Sequence, residues 1–272
     1  MILEGRTVLV TGSTDGIGKE TALQLAQMGA KVLLHGRDPK KGQVVLEEIH
    51  LKTGSDRLEF YLADLSSQQQ IRSLAAKVKE NNHHLDVLIN NAGIFMPERK
   101  MAEEGIETTF AVNYLAHFLL TRELDDLLKQ SAPSQIINVA SIAHWNAKLE
   151  WNNLQGERYY EGFDAYALSK LGVILFTYAL AERLLGSGVT ANCLHPGVIE
   201  TKLLRAGFGD YPGDTPKNGA RTSVYLASSL KEKDVTGQYF EECKPTRSSP
   251  ASYNRELQDK LWRISEGLTG LV

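Results

Sequence analysis

The sequence predicts an α/β domain in which a mostly parallel sheet carries helices on both faces. Short runs rich in β-branched residues alternate with longer segments whose apolar residues recur at helical spacing. Most of the short runs are apolar on both faces, which is typical of strands inside a parallel sheet. A glycine-rich stretch separates the first run from the first helical segment. These observations predict a doubly wound, Rossmann-type fold with seven strands.

Each alternation adds one strand–helix unit. The predicted strands are residues 8–10, 31–35, 58–62, 87–90, 135–139, 190–195 and 237–240. The predicted helices are residues 19–28, 40–52, 68–80, 103–129 and 165–185, with a terminal helix at 253–265. No Pro-, Gly- or Ser-rich linker divides the 272 residues, and α/β domains of this length are common. We expect one domain, 1–272, with a substrate lid at about 202–216 and a C-terminal extension at about 241–272.

Composition narrows the possible partners and compartments. Lys and Arg total 30 against 33 Asp and Glu, a net charge of −3, so nucleic acid is not an expected partner. Apolar stretches such as 171–181 are too short to span a bilayer, and no signal-peptide pattern precedes the first strand. We therefore expect a cytoplasmic protein without an integral membrane segment. No metal site is predicted, and Cys193, in an apolar run, is expected to be a buried reduced thiol.

The segment TGSTDGIG, residues 11–18, follows the first strand directly. Glycine lets the backbone approach a ligand closely, and the N-terminus of the next helix offers unpaired N–H groups and partial positive charge. Both properties suit the pyrophosphate of a dinucleotide. The glycines fall at 12, 16 and 18, which is not the general G-x-G-x-x-G spacing. A plain tight turn is the alternative interpretation.

Four elements in order carry a family resemblance. After T-G-x-x-x-G-I-G come Asn90-Asn91-Ala92-Gly93, then Ser141, then Tyr166-Ala167-Leu168-Ser169-Lys170. This order resembles the short-chain dehydrogenase/reductase family over residues 6–240. The segment HPGVIETKLL, the Ser141–Tyr166 spacing and the tail GQYFEECKPTRSSP resemble its retinol-dehydrogenase-like branch. The resemblance implies an oxidoreductase that exchanges hydride between a nicotinamide cofactor and a carbonyl or alcohol.

Elementary chemistry assigns roles to three of these side chains. Tyr166 and Lys170 are four residues apart and share a helix face, so we expect the ammonium to lower the tyrosine pKa from near 10 and to make Tyr166 the acid/base. Ser141 ends a strand and can hydrogen-bond a substrate carbonyl. The resemblance implies that Lys170 also holds the nicotinamide ribose and that Asn113 kinks its helix and binds a relay water. The alternatives are a solvent-facing Tyr–Lys pair, a capping Ser and a core-facing Asn.

The remaining cofactor contacts come from the segments that follow the strands. The resemblance implies that Asp64 contacts the adenine amino group and that Ile199 and Thr201 hold the carboxamide. Asp64 could instead cap the following helix. The predicted cofactor-binding residues are Gly12, Ser13, Thr14, Asp15, Gly16, Ile17, Gly18, Arg37, Asp64, Leu65, Asn91, Ala92, Gly93, Tyr166, Lys170, Pro196, Gly197, Ile199 and Thr201.

Cofactor preference depends on the end of the second strand. NAD-binding relatives place an acidic residue near position 36 for the ribose 2′-hydroxyl, whereas an arginine accommodates a 2′-phosphate. Here Gly36 precedes Arg37, and Asp38 before Pro39 is typical of a helix cap. We expect NADP(H), with NAD(H) possible if Arg37 only stacks on adenine or points into water.

The substrate is the least determined part of the prediction. Trp145, Trp151, Tyr159 and Tyr160 could line an apolar pocket or form a surface flap. The branch resemblance suggests lipophilic aldehydes, ketones or secondary alcohols. Two alternatives are a catalytically silent NADP(H)-binding regulator and a sugar-nucleotide epimerase, which would normally show other glycine spacing and a larger C-terminal domain. Family members pair through helices corresponding to 103–129 and 165–185, so a homo-oligomer is possible.

Overall fold

The computed structural model describes residues 2–229 and 234–271. Their strands form one sheet in the order β3-β2-β1-β4-β5-β6-β7-β8, parallel except for the last pair. The strands are β1 Thr7–Val10, β2 Lys31–Gly36, β3 Leu58–Leu62, β4 Val87–Asn90, β5 Ser134–Val139, β6 Val189–His195, β7 Tyr239–Glu241 and β8 Lys244–Thr246. The order reverses beside β1, and at such a switch point the carboxyl ends of parallel strands leave a crevice. The predicted fold class is confirmed.

The helices cover both faces of this sheet. They are α1 Gly16–Gln27, α2 Pro39–Thr53, α3 Gln68–Asn81, α4 Thr108–Phe110, α5 Ala116–Glu123, α6 Asp125–Gln130, α7 Gly162–Arg183, α8 Lys202–Phe208, α9 Pro216–Ser228 and α10 Arg255–Thr269. Strand residues alternate between two apolar cores: Leu9 and Leu33 face α3, α5 and α7, while Val8 and Val32 face α1, α2 and α9. Burial on both faces explains why most strands are apolar throughout.

The extent of two predicted helices and the number of strands differ from the prediction. The single helix at 103–129 begins only at Thr108, where the Glu107 carboxylate accepts the N–H groups of Thr109 and Phe110. It then passes through a π-helical turn at Ala111–Leu115 and ends at Glu123 before α6. The terminal helix begins at Arg255 because Asn254 caps it. The short antiparallel β8 makes eight strands, not seven.

The C-terminal helix lies on the outer face of α5 and α7. The Trp262 ring packs 5.1 Å from Phe118 and 5.8 Å from Phe176, centroid to centroid. The guanidinium groups of Arg122 and Arg183 lie 5.2 and 4.1 Å from the same indole. Helix α10 is therefore packed against the core helices.

One described helix, α7, has the length and mean hydropathy of a membrane span, and 83% of its most apolar stretch is buried inside the fold. It packs on the sheet through residues such as Val173 and Ile174. This pattern is that of a core helix, since a helix apolar on all sides is expected wherever it is wrapped by protein.

Candidate active site

The glycine-rich loop turns between β1 and α1 under tight steric limits. A Cβ on Gly18 would lie 2.3 Å from the Gly12 carbonyl oxygen, and a Cβ on Gly12 would lie 2.9 Å from the Ala92 Cα. Gly12 and Gly16 also have positive φ, which side-chain-bearing residues rarely adopt. The Asn91 amide donates to the Thr11 carbonyl at 2.8 Å. The loop is thus closed by its own backbone and by the segment after β4.

A cavity of about 660 Å³ lies at the carboxyl ends of the strands, where open α/β sheets bind ligands. Its volume is within the usual range for ligand pockets. All the predicted site residues except Ser13 and Asn113 line it: Gly12, Thr14, Asp15, Gly16, Ile17, Gly18, Arg37, Asp64, Leu65, Asn91, Ala92, Gly93, Ser141, Tyr166, Lys170, Pro196, Gly197, Ile199 and Thr201. Sequence motifs spread over 190 residues therefore converge on one cleft.

Two predicted residues lie outside the cavity wall. Ser13 is buried against β2, where its Oγ accepts the His35 N–H at 2.9 Å. Asn113 lies in the π-helical turn; its Oδ1 accepts the Ile94 N–H at 2.8 Å, and its Nδ2 donates to the Ile94 carbonyl and to Ser169 Oγ. A Cβ on Gly93 would lie 3.6 Å from the Asn113 Oδ1 and 3.5 Å from the Lys170 Nζ. Asn113 therefore sits just behind the cleft, close to Lys170.

Ser141, Tyr166 and Lys170 meet on one wall of the cavity, and all three are buried. The Lys170 Nζ donates to the Val139 carbonyl at 2.9 Å and lies 5.7 Å from the centroid of the Tyr166 ring. The Ser141 Oγ accepts the Ala143 N–H at 3.2 Å. The Tyr–Lys pair does not point into solvent, and Ser141 both caps a short 3₁₀ turn and faces the cleft.

The expected fall in the tyrosine pKa does not occur in this arrangement. Burial raises the pKa of Tyr166 to about 12, and the hydrogen bond with Ser141 opposes that rise only in part. Burial also lowers the pKa of Lys170 to about 8. Removing either group from water disfavours its charged form, which accounts for the direction of both shifts.

At the opposite end of the cavity, Arg37 is exposed and lines the wall. Asp38 caps α2 as predicted, accepting the N–H groups of Lys40 and Lys41. Asp64 forms a local turn in which its Oδ1 accepts the Ser66 N–H at 2.9 Å. The cap of α3 is Ser67, so Asp64 is not the helix cap considered as its alternative.

The four aromatic residues that the sequence offered for a pocket, Trp145, Trp151, Tyr159 and Tyr160, do not line the cavity. Trp145 and Tyr159 are exposed, Trp151 packs on the core beneath Lys260, and the Tyr160 hydroxyl donates to the Met96 carbonyl. They form the surface flap that was the alternative to a pocket.

Other aromatic residues take the place beside the tyrosine. The Phe95 ring lies 5.9 Å from Tyr166 and 6.0 Å from Phe208, and Phe163 lies 5.8 Å from Phe208. Phe208 ends α8, inside the segment predicted as a lid. Sequence reasoning missed Phe95 and Phe208 because single aromatics in loop-rich segments carry no periodic signal.

Sequence reasoning also missed four buried histidines: His35, His117, His144 and His195. Each forms a hydrogen bond with the backbone of a loop at the cleft. Burial lowers the pKa of every one, to about 4 for His35 and His195 and to about 3 for His117. The available signal was position, since His195 ends β6 and His35 is the next-to-last residue of β2, in both cases just before a cleft loop.

Comparison with known proteins identifies the family. The short chain dehydrogenase family model matches residues 6–210. The chain belongs to this family. Human retinol dehydrogenase 11 is 42% identical over 99% of this chain and 87% of its own length. Mouse retinol dehydrogenase 13 is 40% identical over 99% and 85%. The resemblance to the retinol-dehydrogenase-like branch is thereby confirmed.

Solved structures agree with this assignment. A protein of Mycobacterium paratuberculosis superposes with a TM-score of 0.82 at 30% identity, covering 98% of this chain and 94% of its own. A short chain dehydrogenase of Escherichia coli CFT073, complexed with NADPH, has a TM-score of 0.73 at 27% identity and covers 88% and 97%. This short-chain dehydrogenase is therefore an oxidoreductase of the dehydrogenase/reductase class.

Proposed function

We propose that this protein transfers a hydride between NADP(H) and a lipophilic carbonyl or alcohol, with Tyr166 as the acid/base. The observation that carries the proposal is that Ser141, Tyr166 and Lys170 share one cavity with the glycine-rich loop. The loop at Gly12 and Gly18 has no space for side chains, which suits close backbone approach to a pyrophosphate.

A nicotinamide cofactor, when bound, supplies the hydride. The side chains of the cleft bind the substrate oxygen and transfer a proton to it. Ser141 directs its hydroxyl to the carbonyl oxygen and stabilises the negative charge that develops there. Tyr166, whose pKa burial raises to about 12, is protonated near neutral pH and donates its proton to that oxygen in the direction of reduction. Lys170 faces the same cleft, and its ammonium favours the phenolate that forms as Tyr166 gives up its proton.

The residues at the end of β2 support a preference for NADP(H) over NAD(H). A Cβ on Gly36 would lie 2.5 Å from the Thr14 Cγ2, so this backbone has no room for the acidic residue that would take a ribose 2′-hydroxyl. Asp38 is engaged as the α2 cap. Arg37 is left beside the cavity, where its guanidinium can pair with a 2′-phosphate.

The substrate end of the cavity favours bulky apolar compounds. Phe95, Phe163 and Phe208 surround the Tyr166 side with aromatic surface, and Leu203 packs on the same cluster. Apolar lining with a few convergent polar groups selects ligands by buried hydrophobic area. Relatives named retinol dehydrogenase and, in humans, polyprenol dehydrogenase (39% identical) are consistent with a lipophilic substrate class.

Removing the Tyr166 hydroxyl is the direct test of this function. Tyr166→Phe should lower turnover by about 10²- to 10⁴-fold, because the proton donor is lost, while NADPH binding stays within about twofold. Consumption of NADPH by a panel of bulky aldehydes and ketones measures turnover, and cofactor fluorescence measures binding. Tyr159→Phe, at an exposed tyrosine away from the cavity, is the control. Substantial activity in Tyr166→Phe would refute the assignment, and NADPH binding without wild-type turnover of any panel member would favour the silent regulator.

A charge reversal at Arg37 tests the cofactor preference. Arg37→Asp should reverse the ratio of kcat/KM for NADPH to that for NADH, because the carboxylate repels a 2′-phosphate and accepts a bond from a 2′-hydroxyl. Arg57→Asp, exposed at the amino end of β3 and thus at the opposite edge of the sheet, is the matched control. An unchanged ratio in Arg37→Asp contradicts a phosphate contact.

A further inference from the structure

Two histidines bind the same peptide unit, the one that follows Ser141. The His144 Nδ1 lies 2.7 Å from the Ser141 carbonyl oxygen, and the Ile142 N–H donates to the His195 Nδ1 at 3.3 Å. These are the two polar groups of one peptide, and an imidazole binds each of them; the Ser141 carbonyl oxygen also accepts the backbone N–H of His144 at 3.2 Å.

The backbone partners determine which ring nitrogen carries the proton. The Ser249 N–H donates to the His144 Nε2 at 3.0 Å, so this nitrogen is an acceptor and the proton of His144 is on Nδ1. In His195 the acceptor is Nδ1, which leaves the proton on Nε2. The two rings therefore occupy opposite tautomers, and burial lowers the pKa of both below the usual histidine range, which keeps them neutral.

The strand ladder no longer supports the chain at this point. The Ala140 N–H donates to the Leu194 carbonyl at 2.8 Å, and the pairing of β5 with β6 ends at Val139. A hydroxyl that hydrogen-bonds a reacting oxygen must be fixed in position, because a displacement of about 1 Å can lower the rate roughly 10²-fold. The imidazoles supply the constraint that the sheet no longer provides.

We infer that His144 and His195 are positioning residues that clamp the Ser141–Ile142 peptide and thereby fix the Ser141 hydroxyl in the cleft. Neither ring is required to touch the substrate. The inference rests on the proposed function only for its kinetic consequence, since the clamp itself is a matter of hydrogen bonds. It also connects the C-terminal extension to the site, because the second nitrogen of His144 is held by Ser249.

Two substitutions at position 144 separate the two contacts of the ring. An Asn side chain places its amide N–H two bonds from Cβ, like Nδ1, and can donate to the Ser141 carbonyl. A Gln side chain places its carbonyl oxygen three bonds from Cβ, like Nε2, and can accept from Ser249 but not donate at the Nδ1 position. We expect kcat to fall about 10- to 100-fold in His144→Gln and to stay within about threefold in His144→Asn, with NADPH affinity unchanged in both.

The other outcomes overturn the clamp. If His144→Asn loses activity and His144→Gln keeps it, the ring serves only to anchor the C-terminal extension. If both variants lose activity in proportion to thermal stability, the role is structural, and if neither changes kcat, there is no positioning role. His83→Asn, at an exposed histidine outside the cleft, controls for the substitution itself.

The tautomers of His144 and His195 can be measured without turnover, and they test the clamp independently of activity. In protein labelled with ¹⁵N-histidine, the ring nitrogen shifts at neutral pH should show His144 protonated on Nδ1 and His195 protonated on Nε2. The opposite tautomer on either ring overturns the clamp, even if the protein proves inactive. Absence of wild-type turnover with the expected tautomers would instead refute the proposed function and leave the clamp intact.

Discussion

The imidazole of His35 couples the stability of the cofactor loop to pH. The Gly12 N–H donates to its Nδ1 at 3.1 Å, and its Nε2 lies 3.1 Å from the Ala63 carbonyl oxygen. The ring is buried, and desolvation lowers its pKa to about 4, against opposition from the Ala63 bond and from Asp64. A second proton would be placed on Nδ1, where it would face the Gly12 N–H.

The sign and size of the effect follow from proton linkage. Because the native pKa is depressed, the unfolded chain binds more protons than the folded one below about pH 6.5. The contribution of His35 to folding is therefore present above pH 6.5 and is lost as pH falls toward 4. At pH 5 the loss amounts to about 2 kcal/mol, approached with a slope of about 1.4 kcal/mol per pH unit.

A substitution isolates this contribution from those of the carboxylates. His35→Asn keeps an acceptor oxygen for the Gly12 N–H but does not titrate. The difference between wild-type and variant free energies of unfolding, from urea titrations followed by tryptophan fluorescence, should shift by about 2 kcal/mol in favour of the variant between pH 7 and pH 5. His83→Asn, at an exposed histidine outside the cleft, is the control for the substitution itself. Parallel pH profiles for wild type and His35→Asn would refute the reasoning.

Three further substitutions test packing. Gly18→Ala should weaken NADPH binding, seen by fluorescence titration, and destabilise the fold by about 1–3 kcal/mol, because its Cβ meets the Gly12 carbonyl oxygen at 2.3 Å. Gly267→Ala in α10, where a Cβ meets nothing within 4 Å, should instead stabilise by about 0.5–1 kcal/mol; a similar loss in both would contradict the steric argument. Trp262→Ala should cost about 3–5 kcal/mol in urea unfolding with unchanged NADPH affinity, and a cost below 1 kcal/mol would show that α10 is loosely attached.

The fold was predictable because its signals are local and periodic. Strands such as Val87–Asn90 are apolar on both faces, and helix starts such as Asp38-Pro39 carry their own cap, so both are read from neighbouring residues. The break in the predicted helix at 103–129 was not predictable in this way. It depends on the Glu107 carboxylate and on a π-helical turn at Asn113 whose amide bonds the chain at Ile94.

The site was predictable where a motif fixes both residue type and spacing. Gly12, Gly18, Tyr166 and Lys170 were predicted by such motifs and line one cavity. The direction of the Tyr166 pKa shift was not predictable from the sequence, because it depends on how far the folded chain removes the phenol from water. The four buried histidines at the cleft were not predicted as site residues, for a related reason. Their hydrogen-bond partners include backbone groups distant in sequence, such as Ser249 for His144.

The position of the C-terminal helix has a consequence for self-association. The family resemblance implies pairing through helices that correspond to α5 and α7, and in this structure Trp262, Arg122 and Arg183 pack together over that surface. A second molecule approaching from this side would contact α10 of the first molecule. It would have to displace that helix before it could contact α5 and α7. Helix α10 thus occupies the surface that a neighbouring subunit would cover. Any dimer that keeps α10 in place must form through a different surface of the protein.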